Sequence, residues 1–292
     1  MPPTALFLYV ATVLIWGSTW LAITFQLCEV DPLVSVVYRF ALASLLLFCW
    51  CGLRRARLAL DSREHLWFAA QGACMFGLNY WLTYVSEVHL TSGVVAVIFA
   101  TMSFFTMLWG RIFLGRPVQL RMVLGACLGI SGVAALFWPE VDSLSLGDDA
   151  VRGALLALGA TALASLGGIV ATHNVRFALP VISANAWGMF YGTLLLALIA
   201  LARGAEFSYP ATDSYTLALL YLAVVGSVLA FGAYLRLIAM IGPERAGYGS
   251  TLTPVVALLL STFFEGYRWG AMAVAGLALI IAGNVLVLRS RR

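Results

Sequence analysis

An arginine inside an apolar run is the first residue that demands a chemical explanation. Arg39 stands between Tyr38 and Phe40, seven residues into a run that starts near Leu33, which is roughly 10 Å along a helix at 1.5 Å per residue. A charge at that depth costs roughly 2.5 kcal/mol or more in hydrocarbon. At the outer rim of a polar path the guanidinium attracts a substrate carboxylate or anchors a neighbouring helix; the alternative is a side chain that snorkels to the outer interface beside Asp31. Trp16 and Trp20 lie one helical turn apart, as do Tyr80 and Tyr84, so each pair projects from one helix face. Such faces stack on an apolar or aromatic substrate while their polar edges orient its amino and carboxyl groups, or they simply pack or sit at an interface. Asn79, beside Tyr80, carries an amide with little reason to face lipid.

Two further stripes are small and polar: Thr161, Ser165, Gly168 and Thr172, and Gly247, Ser250, Thr251 and Pro254. They serve close helix packing or a substrate path. Pro254 frees a backbone carbonyl one turn earlier and is a candidate hinge. The candidate substrate-binding set is therefore Trp16, Arg39, Asn79, Tyr80, Tyr84, Ser165 and Tyr248.

Other chemistry finds no footing. There is neither a Gly-x-Ser-x-Gly elbow nor a His-Glu-x-x-His helix, the signatures an intramembrane hydrolase or metalloenzyme would need. His65, His89 and His173 are too scattered for a metal site, and Cys49 and Cys51 have neither redox nor zinc spacing. We expect no enzyme activity, cofactor, metal or disulfide. Glu87 and Glu265 fall near the outer ends of their runs, and no Asp or Glu lies near the middle of one. A proton-coupled carrier usually keeps an ionisable relay within the membrane, so the expectation is facilitated, gradient-driven transport.

The elements that position these residues follow from composition. Of 292 residues 62% are hydrophobic and only 10% charged, where a soluble domain carries about 25% charged residues. Continuous apolar runs, rather than alternating ones, select helices over a barrel. They place spans at roughly 4–26, 33–53, 65–86, 92–113, 119–138, 152–172, 182–202, 215–235, 245–264 and 269–288. The fold class is an all-α polytopic membrane protein with ten transmembrane helices, and the bilayer is its solvent. The first run lacks a basic n-region and a convincing cleavage site, so it is read as a span and not a signal peptide.

All 17 basic residues are arginines; with the N-terminus in the cytoplasm, 13 fall on that side and three, Arg152, Arg203 and Arg268, on the other. That bias predicts both termini inside. The net charge of +4 thus follows from topology, and no nucleic-acid partner is expected.

Shifting the sequence by 151 positions lays Phe113 on Phe264, Gly115 on Gly266, Gly125 on Gly276 and Gly132 on Gly283. These identities recur at equivalent places in successive spans, and the shift is half of the ten-span count. Because five is odd, the second half starts from the opposite side, which makes the repeats inverted, the usual architecture of alternating-access carriers. The expected division is 1–139 for the first repeat, 140–150 for an outer linker and 151–292 for the second repeat.

The sequence also resembles the drug/metabolite transporter superfamily and, within it, the ten-helix EamA-type exporters. The residues that carry the likeness are Trp16-Gly17-Ser18-Thr19-Trp20 and Tyr38-Arg39-Phe40 in the first half. In the second half they are Gly242-Pro243-Glu244-Arg245-Ala246, Leu252-Thr253-Pro254-Val255-Val256-Ala257 and Phe263-Phe264-Glu265. Ser103 and Leu114 stand where a strict repeat of Pro254 and Glu265 would fall. The resemblance implies export of amino acids or related metabolites from a bacterial cytoplasm across the inner membrane. The aromatic amino-acid exporters are the branch named first; a broader drug or metabolite exporter, of nucleobases or cysteine-pathway compounds and with or without proton coupling, is the alternative.

Overall fold

The computed structural model describes residues 2–27, 30–115, 117–118, 120–143, 148–241 and 249–288. Their regular structure is helical and, among them, no strand occurs. α1 spans Pro3–Thr24 and α2 Pro32–Leu53, the latter opened by Pro32 and by Asp31, whose carboxylate accepts the Leu33 amide at 2.7 Å. α3 starts at Ser62 behind a reciprocal capping box of Asp61 and Glu64. It runs to Gly72, passes through a π-helical segment Ala73–Leu78 and continues as Asn79–Glu87. α4 comprises Ser92–Phe99 and Met102–Leu114, broken at Ala100 and Thr101 without any proline. α5 is Leu120–Ser143, α6 Asp148–Asn174 and α7 Val181–Ala202. α8 joins Asp213–Leu220, a π-helical segment Tyr221–Leu229 and Ala230–Ile241; α9 is Gly249–Phe264 and α10 Ala271–Leu288.

Among the described residues six helices are long and apolar enough to cross a membrane: α1, α2, α4, α6, α7 and the Asp213–Tyr234 part of α8. Shorter apolar stretches fall at Leu120–Gly132, Leu252–Phe264 and Ala271–Gly283. Their outward faces expose Phe7, Leu45, Leu124, Leu155, Leu198 and Phe263, side chains suited to lipid. α5 continues to Ser143 and α6 opens at Asp148, so helix occupies both ends of the stretch expected to be a linker.

The repeat is visible in the packing. α5 lies along α10, α2 along α7, α1 against α9, and α3 against α6. A Cβ on Gly132 would stand 2.5 Å from the Gly276 carbonyl, and one on Gly283 would strike the Gly125 carbonyl and lie 2.9 Å from the Gly129 amide. The 151-residue shift converts the first contact into the second, so α5 and α10 pack antiparallel and backbone to backbone through residues that the two halves share. Gly115 and Gly266, also related by the shift, both take left-handed backbone after α4 and α9, with φ of 63° and 71°, a conformation a side chain would disfavour. The π segments obey the same relation: Ala73–Leu78 shifted by 151 falls inside Tyr221–Leu229. Nothing in composition signalled them.

Candidate functional site

The π segment of α8 aims a serine at the buried arginine. Adding a residue to a turn shifts the hydrogen-bond register from four to five and rotates the following face. Ser227 bonds back to the Leu222 carbonyl, five residues earlier, at 2.9 Å, and its hydroxyl accepts from Arg39 Nε at 3.2 Å. Gly226 beside it lets Thr19 and the guanidinium approach, since a Cβ there would meet Thr19 Cγ2 at 2.7 Å. Arg39 is only 1% exposed. Its guanidinium carbon sits 4.7 Å from the Tyr80 ring centroid and 5.2 Å from that of Phe40, distances at which the ring quadrupole attracts a cation. The side chain does not snorkel to Asp31, whose carboxylate is occupied by the Leu33 amide.

Around the arginine runs an aromatic wall. Tyr80 meets Phe40 at 4.7 Å, Phe40 meets Phe76 at 5.7 Å, Phe76 meets Phe231 at 5.2 Å, and Phe231 meets Trp16 edge-on at 5.4 Å. Tyr234 lies 5.0 Å from the same indole. Offset and edge-on geometry of this kind is the favoured arrangement of aromatic pairs. Tyr84, fully buried, donates its hydroxyl to Gln26 Oε1 at 3.0 Å and lies beside the Arg39 guanidinium.

Buried polar atoms usually find partners, so those without one stand out. Among the described residues Arg39 Nη1, Gln26 Nε2, Trp20 Nε1, Asn79 Oδ1, Thr91 Oγ1 and both carboxylate oxygens of Glu87 have none. The donors Arg39 and Gln26 both adjoin Tyr84. The arrangement offers cationic and neutral N–H donors next to apolar ring faces, a chemistry suited to a carboxylate carried by an apolar or aromatic body.

Of the seven candidate binding residues, the structure brings Trp16, Arg39, Tyr80 and Tyr84 into this one cluster. Asn79 is buried on the same helix, with its side-chain oxygen unpaired. Ser165 is engaged elsewhere, its hydroxyl bonded to that of Thr106 at 2.9 Å across α6 and α4. Tyr248 lies outside the described residues. Pro254 is buried inside α9, which runs through it as a helix beside Gly17 of α1. Sequence reasoning missed Gln26 and Ser227, whose roles depend on distant partners, and it set Glu87 aside at a helix end. The sequence signal available for Ser227 was its place next to Gly226 in an otherwise apolar run.

A chain of stacked apolar helices in two shift-related halves, with a buried cation and an aromatic wall between them, defines a polytopic membrane transporter. The model of the EamA-like transporter family matches twice, over residues 3–138 and 151–289, and the chain belongs to that family. It is 30% identical to an uncharacterized inner membrane transporter, YedA, of Escherichia coli K12, over 95% of this chain and 88% of that protein. It is 28% identical to a probable amino-acid metabolite efflux pump of Salmonella typhimurium, over 98% of this chain and 96% of that one. A solved crystal structure with 17% identity superposes with a TM-score of 0.70, covering 98% of this chain and 96% of the other, which establishes the shared fold.

Proposed function

We propose that this protein exports small amino-acid-type zwitterions with apolar or aromatic side chains across a bacterial inner membrane, by alternating access between its two halves. The observation that carries the reading is the buried Arg39, with Nη1 unpaired and aromatic rings on its flank. The relative named as a probable amino-acid metabolite efflux pump supports the same substrate class. The halves are residues 1–139 and 151–292 around a linker at 140–150, with both termini cytoplasmic, in keeping with the arginine bias. The protein acts as a carrier and not as an enzyme. Trp16, Tyr80 and Tyr84 face the substrate body, Asn79 its polar edge, and Pro254 serves as a hinge, while Ser165 and Tyr248 complete the path. Flux runs down the substrate's own gradient.

One observation favours a second reading, coupling to protons: Glu87 is buried, whereas the facilitated reading assumed a carboxylate at an open helix end. The test is uptake of labelled amino acids into liposomes containing the purified protein, with and without an imposed pH gradient, alongside Trp16→Ala and Tyr80→Ala. Saturable flux of aromatic or apolar amino acids that ignores the gradient and falls in both variants is expected. Flux that follows the gradient replaces the facilitated reading, and folded protein that moves no amino acid refutes the substrate class in favour of a broader metabolite.

A further inference from the structure

Glu87, the last residue of the Asn79–Glu87 helix, is 6% exposed, and neither of its carboxylate oxygens has a hydrogen-bond partner among the described residues. A carboxylate buried without donors is costly, and folds retain such groups in membranes chiefly for function. Its acidic neighbour is already employed. Glu265 accepts the Ser92 amide at 3.1 Å and the hydroxyls of Ser92 and Ser261, which caps the start of α4. Helix capping therefore gives Glu87 no role.

Among the described residues, the charged groups within electrostatic reach of Glu87 are Glu265 and Arg39. Tyr80, Tyr84 and Glu87 follow one another at four and three residues, so they share one face of α3. Arg39 lies against the Tyr80 ring and beside the Tyr84 hydroxyl, and Glu87 is one turn further on, about 4.5 Å along the axis. A buried guanidinium and a buried carboxyl group thus lie along one helix face, each with unpaired atoms, and no ion pair joins them among the described residues. Arg39 is instead engaged by Ser227 on its Nε and by the Tyr80 ring beside its guanidinium carbon.

The geometry points to Glu87 as the seat of the substrate's ammonium group, with the substrate's carboxylate on Arg39 and Gln26. The inference rests on the amino-acid reading above and sharpens it: the protein selects for a free, positively charged amine. A ligand without one leaves a buried carboxylate unpaired, the circumstance in which polar sites discriminate most strongly.

The test measures affinity by quenching of intrinsic tryptophan fluorescence in the purified full chain. Its probes are phenylalanine, N-acetylphenylalanine and 2-phenylethylamine, and its variants Glu87→Gln and Glu87→Asp, with thermal melting to verify folding. Glu87→Gln is expected to weaken phenylalanine and 2-phenylethylamine by about tenfold or more while moving N-acetylphenylalanine by less than about twofold, with partial recovery in Glu87→Asp. Equal weakening of all three probes, or an unchanged affinity for 2-phenylethylamine, overturns the assignment. So does a variant with unaltered affinities whose flux no longer responds to a pH gradient, which would make Glu87 a proton carrier alone. Wild-type protein that binds 2-phenylethylamine through Glu87 but ignores phenylalanine sustains the ammonium site and refutes the amino-acid reading. Phenylalanine binding that Glu87→Gln leaves unchanged does the reverse.

Discussion

Replacing Ser227 by alanine removes the hydrogen-bond acceptor of Arg39 Nε, a contact of 3.2 Å between two buried side chains. In soluble proteins a hydrogen bond to a charged group contributes about 1.5–3 kcal/mol. Within membranes the measured interhelical values are lower, averaging about 0.6 and reaching about 1.7 kcal/mol, because the unfolded helices also find partners. Arg39 already has Nη1 unpaired, and losing Ser227 leaves its plane held mainly by Tyr80 and Phe40, which argues for the upper part of that range. If the misplaced guanidinium is the group that meets the substrate, the same loss, about 1.2–1.7 kcal/mol, appears in binding as an affinity weakened about sevenfold to sixteenfold, at about 1.4 kcal/mol per decade. The control is Ser44→Ala: Ser44 is buried in the same helix as Arg39 but bonds to the Ala41 carbonyl of its own turn, at 3.0 Å. Tryptophan quenching and thermal melting on the purified variants read both effects. Weakened binding of amino acids but not of an amine lacking a carboxylate is expected for Ser227→Ala, and neither change for Ser44→Ala. Equal behaviour of the two variants, or equal weakening of both ligands, would falsify the claim that Ser227 positions Arg39 for a carboxylate.

Gly132→Ala and Gly283→Ala are each expected to lower the melting temperature, because the new methyl meets backbone of the facing helix and overpacking of this kind costs about 1–3 kcal/mol. Gly129→Ala, with open space around its Cβ, should be neutral or stabilising by roughly 0.5–1 kcal/mol; a destabilised Gly129→Ala alongside a neutral Gly132→Ala contradicts the α5–α10 packing. Glu265→Gln retains hydrogen-bonding capacity but loses the negative charge at the start of α4, so a loss of about 0.3–1 kcal/mol in stability is expected. Ligand selectivity should stay unchanged in that variant, and a switch in preference between amine and acylated ligands would show that Glu265 contacts the substrate.

Some of this was legible in the chain before any packing was known. Long apolar runs punctuated by arginines leave helices as the only way to satisfy the backbone in lipid. The shift of 151 picked out Gly115 and Gly266, which proved to need left-handed backbone, and Gly132 and Gly283, which proved to need the absence of a side chain against the carbonyls of Gly276 and Gly125. Those demands are local or pairwise, and only glycine meets them, so they survive as identities. Arg39, Trp16, Tyr80 and Tyr84 were legible as well, because a charge or a pair of large amphipathic rings in an apolar helix is conspicuous by type. What only the tertiary structure decided is where such groups point. The two π-helical segments alter the register by one residue without altering composition, and through one of them Ser227 faces Arg39. Glu87 ends its helix in sequence, yet neighbouring helices close over it in space. Burial is a property of the elements around a residue, and the distance of that residue from the end of its own helix does not contain it.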